Sequence, residues 1–401
     1  MKLVPIPKDK YEEYRLNLMF DCYKWDPQFL DSNTVAKYAL VITKKEHEEI
    51  KNITENIDKE TIKAEEFLNN NLEIAKPLAL PKSIYNELKS MKNYDKNLHV
   101  RLMRYDFHPV IDGSFAVSEV NSDVPGGFAE ASLMPNLAKS ILKDKNYNYI
   151  DFGEILIDEI CKKVKQGGKI MLVHCTSYSD DRQVMQFLGD KLLNKGYNVI
   201  YAAADHLRFE NNKARSILDC NEGEVDFIFR FTPLEWLKDI KPKRWQGYFN
   251  TITPSCNHPI AIFAQTKRFP LIWGRLEKQG LQFDYWKKYL PHTIEVKEVK
   301  DKEDYIYKPA CGRVGEKISI KEACDKEEYN QIIKDVKKHP KEYLAQKRFM
   351  SKALSSENGE SYHVCLGSYT VNGKHAGYYA RISDKPRIDS NAADIPVLIE
   401  E

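Results

Sequence analysis

The sequence predicts a mixed chain, α/β in its middle and α+β toward its end, and three observations carry that prediction. A helix-period pattern occupies the N-terminal quarter, two strand hairpins flank the middle, and the middle itself alternates apolar strand-like runs with helical ones. With 401 residues, 42% of them hydrophobic, the chain has enough apolar surface for two or three units with cores of their own, and it is neither disordered nor low-complexity.

From Thr34 to Met91 the pattern is helical: Val35, Tyr38, Ala39 and Ile42 fall on one helix face, with Ser32, Asn33 and Thr34 as candidate N-caps, so residues 1–97 read as a helical N-terminal unit. The period then changes to strands. HVRLMRYDF and SFAVSEVNSD flank Asp112-Gly113, a short-range hairpin signal, and with the helix-like EILIDEICKKVKQ they fill residues 98–166. KIMLV, a helix over Arg182–Asn194, NVIYAAA and VDFIFRF then read as a small three-layer α/β unit with parallel pairing over 167–265. No GxGxxG follows KIMLV, which argues against a dinucleotide role. Residues 266–401 hold YIYKPACGRVGEKISI, EYLAQKRFM and a second hairpin around Asn372-Gly373.

Sixty-one Lys and Arg against 59 Asp and Glu leave a net charge of +2, so no global field recruits nucleic acid or a membrane surface. No apolar run reaches the ~18 residues of a membrane span, and MKLVPIPKDKYEEY lacks the apolar core of a signal peptide. The expected location is the cytoplasm. Eight cysteines without a CxxC pair argue for reduced, mostly buried thiols. His174-Cys175 is no thiol hydrolase pair, because adjacent strand residues face opposite ways.

If Asp112 and Gly113 form a two-residue turn, Asp106 faces Glu119 and Arg104 faces Asn121, all on one face of the hairpin with Val100, Leu102, Val110, Phe115 and Val117. Opposed carboxylates repel unless a cation sits between them, and hard oxygen donors suit Mg²⁺. The plain alternative is a solvated polar strand face. Further on, a strand ends at Lys308-Pro309 and Gly312-Arg313-Val314-Gly315 turns before a second β-like run. Such glycines let backbone N–H groups approach phosphate, with Lys308 and Arg313 adding positive charge. An ordinary hairpin accounts for the same residues.

RYDFHPVIDGSFAVSEVNSD, KPACGRVGEKI and GSYTVNGKHAGYYARISDKP, in this order, resemble the synthetase domain of glutathionylspermidine synthases, ATP-grasp amide ligases. YKWDPQ, Ala64-Glu65, PLEWL and TKRFPLIW are similar as well, the last resembling a family segment that precedes an apolar strand. The resemblance runs from about Tyr14 to the C-terminus. It implies an ATP-grasp-type fold with an inserted pre-ATP-grasp-like domain, and ATP and Mg²⁺ as cofactors. By the same resemblance, Arg104 stabilises the transferring phosphoryl group, Asp106, Glu119 and Asn121 are the magnesium ligands, and Lys267 and Lys308 contact phosphate. Gly312, Arg313, Val314 and Gly315 would form the loop over the nucleotide, and Gln346, Lys347, Arg348 and Phe349 the segment beside the adenine. Arg381 matches a late catalytic arginine. Val124, Gly126, Gly127 and Glu235 match positions that hold a peptide, and Asp394 one that meets a polyamine nitrogen.

Two departures stand out. A chain of this length leaves no room for the N-terminal amidase of bifunctional members, and where the family shows serines after its Asn-Ala-Asp, this sequence runs Asn121-Ser122-Asp123-Val124-Pro125-Gly126-Gly127, so a hydroxyl contact to glutathione is lost. The expected activity joins a small peptide or amino acid to a polyamine or other amine through an acyl phosphate. The expected partners are those small molecules, with no nucleic acid, no membrane, and a homodimer left open. A non-catalytic nucleotide-binding scaffold is the alternative, and the joint presence of Arg104, Asp106, Glu119 and Asn121 weighs against it.

Overall fold

The computed structural model describes residues 1–401 except Asn93, Asp144, Lys145, Lys302, Glu303, Arg313 and Val314. The chain opens with strand β1 (Lys2–Pro5), which pairs antiparallel with β2 (Tyr38–Thr43). The helical reading of Val35, Tyr38, Ala39 and Ile42 is thus corrected: Tyr38 to Ile42 are buried in succession between strands from both chain ends, because a short apolar run fits either period and neighbours decide. The helix starts one step later. Thr43 caps α1 (Lys44–Asn70) in a reciprocal capping box with Glu46, and α1 buries Ile50, Ile53, Ile57, Ala64 and Leu68 on one face.

Strands β3 (Leu102–Pro109) and β4 (Phe115–Asn121) form the expected hairpin, with a different turn. Val110 N–H donates to Ser114 C=O at 2.9 Å, which leaves three loop residues, Ile111, Asp112 and Gly113, the last in the left-handed region at φ +87°. Pairing from Pro109↔Phe115 to Phe107↔Val117 follows that longer loop. Ser118 is then an extra residue in β4, and the bulge restores Asp106↔Glu119 and Arg104↔Asn121. The expected pairs are present for a reason the turn motif did not carry. The bulge also corrects the apolar face: Phe115 and Val117 join Tyr105 and Phe107 on the α1 side, while Val100 and Leu102 lie in a separate core cluster.

Helix α2 (Phe128–Ile141) follows the hairpin, and α3 (Phe152–Cys161) leads into β5 (Lys169–His174). After α4 (Ser179–Asn194) come β6 (Asn198–Ala202) and β7 (Phe227–Phe231). With a two-residue strand, Ser255–Cys256, these make an all-parallel sheet. Ile170 and Leu172 pack toward α3 and α4, and Met171, Val173, Ile200 and Ile228 toward the 3₁₀ turns around Leu234–Phe249, so both faces are dry as parallel pairing requires. TKRFPLIW is helical here, a 3₁₀ turn at Phe269–Ile272 running into a short helix, and no strand follows it directly.

Strand β8 (Tyr305–Pro309), α5 (Lys326–Lys338) and β9 (Tyr343–Lys347) build a small three-stranded layer with Thr293–Ile294 at its edge. Ile332 and Val336 of α5 cover Tyr307, Tyr343 and Ala345. The second β-like run after the glycine loop is not a strand; among the described residues Ser319 bonds back to β8, its N–H donating to Tyr307 C=O at 3.1 Å. The second hairpin is as expected: β10 (Ser361–Val371) and β11 (Lys374–Ser383) turn at Asn372-Gly373, both at positive φ. β10 lies beside β3, and β11 beside β12 (Ala393–Ile395), so the central sheet runs β12, β11, β10, β3, β4. β13 (Val397–Glu400) returns to pair parallel with β2. None of the eight cysteines is in a disulfide, but only Cys256 is buried, which corrects the expectation of mostly buried thiols. Among the described residues no helix is long and apolar enough to cross a membrane.

Candidate active site

One face of the central sheet carries the charge. Arg104 and Asp106 on β3 lie two residues apart on the same face, and the arginine grips the carboxylate with two bonds, Nε to Oδ1 at 2.8 Å and Nη2 to Oδ2 at 3.1 Å. Asn121 Nδ2 donates to Asp106 Oδ2 at 2.9 Å. The opposed Glu119 takes a different cation, Lys267 Nζ, at 3.0 Å. Burial alone would raise the Glu119 carboxyl, but Lys267, Lys308 and Arg104 outweigh it and hold it below its ordinary range. Gly367 sits across β10 from Asp106, and a Cβ there would lie 2.6 Å from Arg104 Cδ; glycine leaves the space the arginine fills.

The two lysines bridge this row to the three-stranded layer. Lys267 Nζ also donates to Gly312 C=O at 2.6 Å, and Lys308 Nζ to the bulged Ser118 C=O at 3.1 Å and Gln346 Oε1 at 3.0 Å. Lys308 is 3% exposed, and that burial, against the pull of Glu119, brings its ammonium down to about 8. Phe349 packs on His108 at 5.3 Å between ring centroids. Lys347 is exposed at the end of β9, and Arg348 turns to Glu322 at 2.8 Å, so among the described residues Gln346 and Phe349 are the members of this segment that meet groups flanking the charged row. Gly315, at φ +65°, lies so close to the Ile388 carbonyl that a Cβ would stand 2.3 Å from its oxygen. Arg313 and Val314 lie outside the described residues.

Arg381 and Asp394 pair across β11 and β12, with Arg381 Nε 3.7 Å from Asp394 Oδ1 and Nη2 donating to the carbonyls of Asp389 and Ala392. Both Asp394 oxygens are engaged: Tyr379 OH donates to one at 2.7 Å, and Lys24 Nζ to the other at 2.6 Å. Lys24 also meets Asp26 at 2.8 Å and Glu130 at 3.4 Å. Sequence reasoning assigned Lys24, Glu130, Tyr379 and Gly367 no role; YKWDPQ was the one signal pointing at Lys24.

The Asn121–Gly127 turn is fixed from below. Asp123 is fully buried against Arg230 and accepts Leu234 N–H at 2.7 Å, which places the following Glu235 beside the turn, half-buried. Gln265 accepts the N–H groups of Ser122 and Asp123 at 2.8 and 2.9 Å. Gly126 C=O receives Arg104 Nη1 at 3.0 Å and the Tyr369 hydroxyl, and a Cβ on Gly127 would strike the Tyr379 ring at 2.7 Å. Val124 is partly buried against the core. A cavity of about 310 Å³, lined by Tyr94, His99, Arg101 and His258 among others, lies at the start of β3 and includes none of the residues expected in the site.

The donor set fits Mg²⁺. Two opposed carboxylates and an amide supply hard oxygens on one face, and ammonium and guanidinium groups already stand at those carboxylates, so the spot attracts positive charge. Among the described residues no third His, Cys, Asp or Glu joins them, which leaves room for the phosphate oxygens and waters that Mg²⁺ keeps.

Comparison with known proteins agrees with this architecture. A relative from Haemophilus influenzae, provisionally named an acid–amine ligase, is 24% identical over 232 residues; the match spans 54% of this chain and about half of that relative's length, likewise 54%. A glutathione synthetase-like effector of Globodera pallida, solved in its apo form, superposes with a TM-score of 0.65 over 99% of both chains at 13% identity, a likeness of fold. The fold is that of ATP-grasp-type ligases. The family model for the glutathionylspermidine synthase preATP-grasp proteins matches residues 13–400, nearly the whole of the sequence. The chain belongs to the glutathionylspermidine synthase preATP-grasp family.

Proposed function

We propose that the protein is an ATP- and Mg²⁺-dependent acid–amine ligase. The observation that carries this reading is the opposed pair Asp106 and Glu119, each with its own cation, on the face where Lys308 also points. ATP serves as substrate. The acid's carboxylate attacks its γ-phosphorus, ADP leaves, and the amine then displaces phosphate from the acyl phosphate. Mg²⁺, held by Asp106, Glu119 and Asn121, neutralises phosphate charge when bound.

The chain's own groups do the rest. Lys267 and Lys308 bind phosphate oxygens, Arg104 and Arg381 stabilise charge that develops on the transferring group, and Asp106 holds the Arg104 guanidinium in orientation. Water that would hydrolyse the acyl phosphate must be excluded, and Gly312, whose carbonyl meets Lys267, stands at that side of the site. Gln346 to Phe349 lie beside the adenine. The acid, a small peptide or amino acid, lies along the Val124–Gly127 turn with Glu235, and the amine, a polyamine or other amine, enters on the Asp394 side. Cysteines outside disulfides suit a reaction in the cytoplasm. Titration calorimetry tests the reading: ATP should bind with Mg²⁺ and lose that binding in Asp106→Ala. Absence of magnesium-dependent binding would overturn it.

A further inference from the structure

We infer that Glu130 is the catalytic residue that accepts the proton of the incoming amine, an inference that rests on the ligase reading above. An aliphatic amine carries a proton at neutral pH and is no nucleophile until it gives the proton up. Some group beside the acyl phosphate must take it.

The carboxylates of the site divide by environment. Asp106 is gripped by Arg104, and Glu119 is neutralised by Lys267. Burial would raise Asp394, but Lys24 and Arg381 outweigh it and hold it low, and both its oxygens are bonded. Burial raises Asp26 too, but Lys24 holds it at 2.8 Å, closer than it holds Glu130. Glu130 is 8% exposed, its Oε1 meets Lys24 at 3.4 Å, and its Oε2 is buried with no hydrogen-bond partner among the described residues. Burial, opposed by Lys24 and reinforced by Asp394 and Asp26, brings its carboxyl to about 7. Lys24 and Asp26 face it from the N-terminal segment, Tyr369 from β10, Tyr379 from β11 and Asp394 from β12. Carboxylates pushed apart in this way separate into permanent anions and a proton acceptor.

Its position suits the task. Gly127 precedes α2 and Gly126 C=O is bonded to Arg104, so Glu130, in the first turn of α2, follows four residues after the carbonyl that meets the phosphoryl arginine. A bonded path, Lys24 to Asp394 to Tyr379, with the Tyr379 ring 5.0 Å from the Arg104 guanidinium carbon, links the two groups. In the step, Glu130 takes one proton from the ammonium group and the freed nitrogen lone pair forms the C–N bond. The C–O bond to phosphate breaks, its electron pair leaves on phosphate, and phosphate collects the second nitrogen proton. An alternative is that Glu130 only steadies the first turn of α2.

Hydroxylamine separates these roles, because it is largely unprotonated at neutral pH and traps acyl phosphates without a base. Wild type and Glu130→Gln are assayed for ADP release and hydroxamate with glutathione and a panel of amino acids and dipeptides, then for amide with an aliphatic amine across pH 5.5–10. The variant should form hydroxamate at the wild-type rate and lose amide formation by about 10²–10⁴-fold at pH 7, recovering as pH rises. Wild-type amide formation should climb through pH 7, and Glu130→Asp should restore part of it. Equal loss of hydroxamate and amide, or no loss of either, overturns the inference. No hydroxamate from wild type with any acid removes the ligase reading, and the inference with it.

Discussion

Asp106 and Glu119 stand directly opposite each other across β3 and β4, and two different cations separate them: Arg104 lies on one and Lys267 on the other. Two carboxylates so placed would repel in the bare hairpin, so the ladder is stable here only because charge from β3 and from residue 267 is brought to it.

Arg104 is therefore pre-oriented by Asp106 before any substrate arrives. Arg104→Ala should lower kcat by about 10²–10³-fold with little change in ATP affinity, because the charge it answers develops mainly in the transition state. Steady-state kinetics with calorimetric ATP binding checks this. Loss of both in equal measure would assign Arg104 to ground-state binding.

Gly367 tests the same geometry without touching the charge. Its backbone is not in the left-handed region, so the added methyl in Gly367→Ala acts by pushing Arg104 Cδ, Nε and Cγ, all within 3.0 Å of the new Cβ. A displacement of that order should cost up to about 10²-fold in kcat, with ATP affinity retained. Unchanged turnover would show that the arginine has room to move.

In the proposed ligase, Lys308 should set a pH dependence for nucleotide binding. Burial brings its ammonium to about 8, so the cation is present below that pH and lost above it. Magnesium–ATP affinity should weaken by up to about tenfold per pH unit above 8. Lys308→Arg keeps its charge and should flatten that limb; an identical slope in both proteins would move the titration elsewhere.

Arg230 and Asp123 form a fully buried pair beneath the Asn121–Gly127 turn. Asp123→Asn leaves the guanidinium uncompensated, and the stability loss in urea unfolding should be about 3–5 kcal/mol. A loss under about 1 kcal/mol would mean that the Thr232 and Asn257 carbonyls, which Arg230 also meets, suffice.

The strands of the parallel sheet and the turn of the second hairpin were legible because their patterns are local. KIMLV, NVIYA and FIFRF are continuous apolar runs, and Asn372-Gly373 marks its own turn. The strand Tyr38–Thr43 was not, since it is defined by β1 and β13 from the two ends of the chain, which no window contains. The Ser118 bulge was invisible for a related reason: nothing in SFAVSEVN shows that one residue will be skipped, and its bonds go to Lys308 and His108. Lys24 meets Glu130 and Asp394 across 106 and 370 positions of sequence, and only tertiary structure gathers them.

The proposed ligase couples ATP cleavage to the joining of an acid and an amine. ADP release is measured with Mg²⁺–ATP against a matrix of carboxylic acids and amines, beginning with glutathione and spermidine, and products are weighed by mass spectrometry. ADP release should require both partners and the product should equal their sum less one water, with an acid other than glutathione favoured by the serine-free Val124–Gly127 turn. ADP release absent from every pair, or indifferent to the amine, would contradict that coupling.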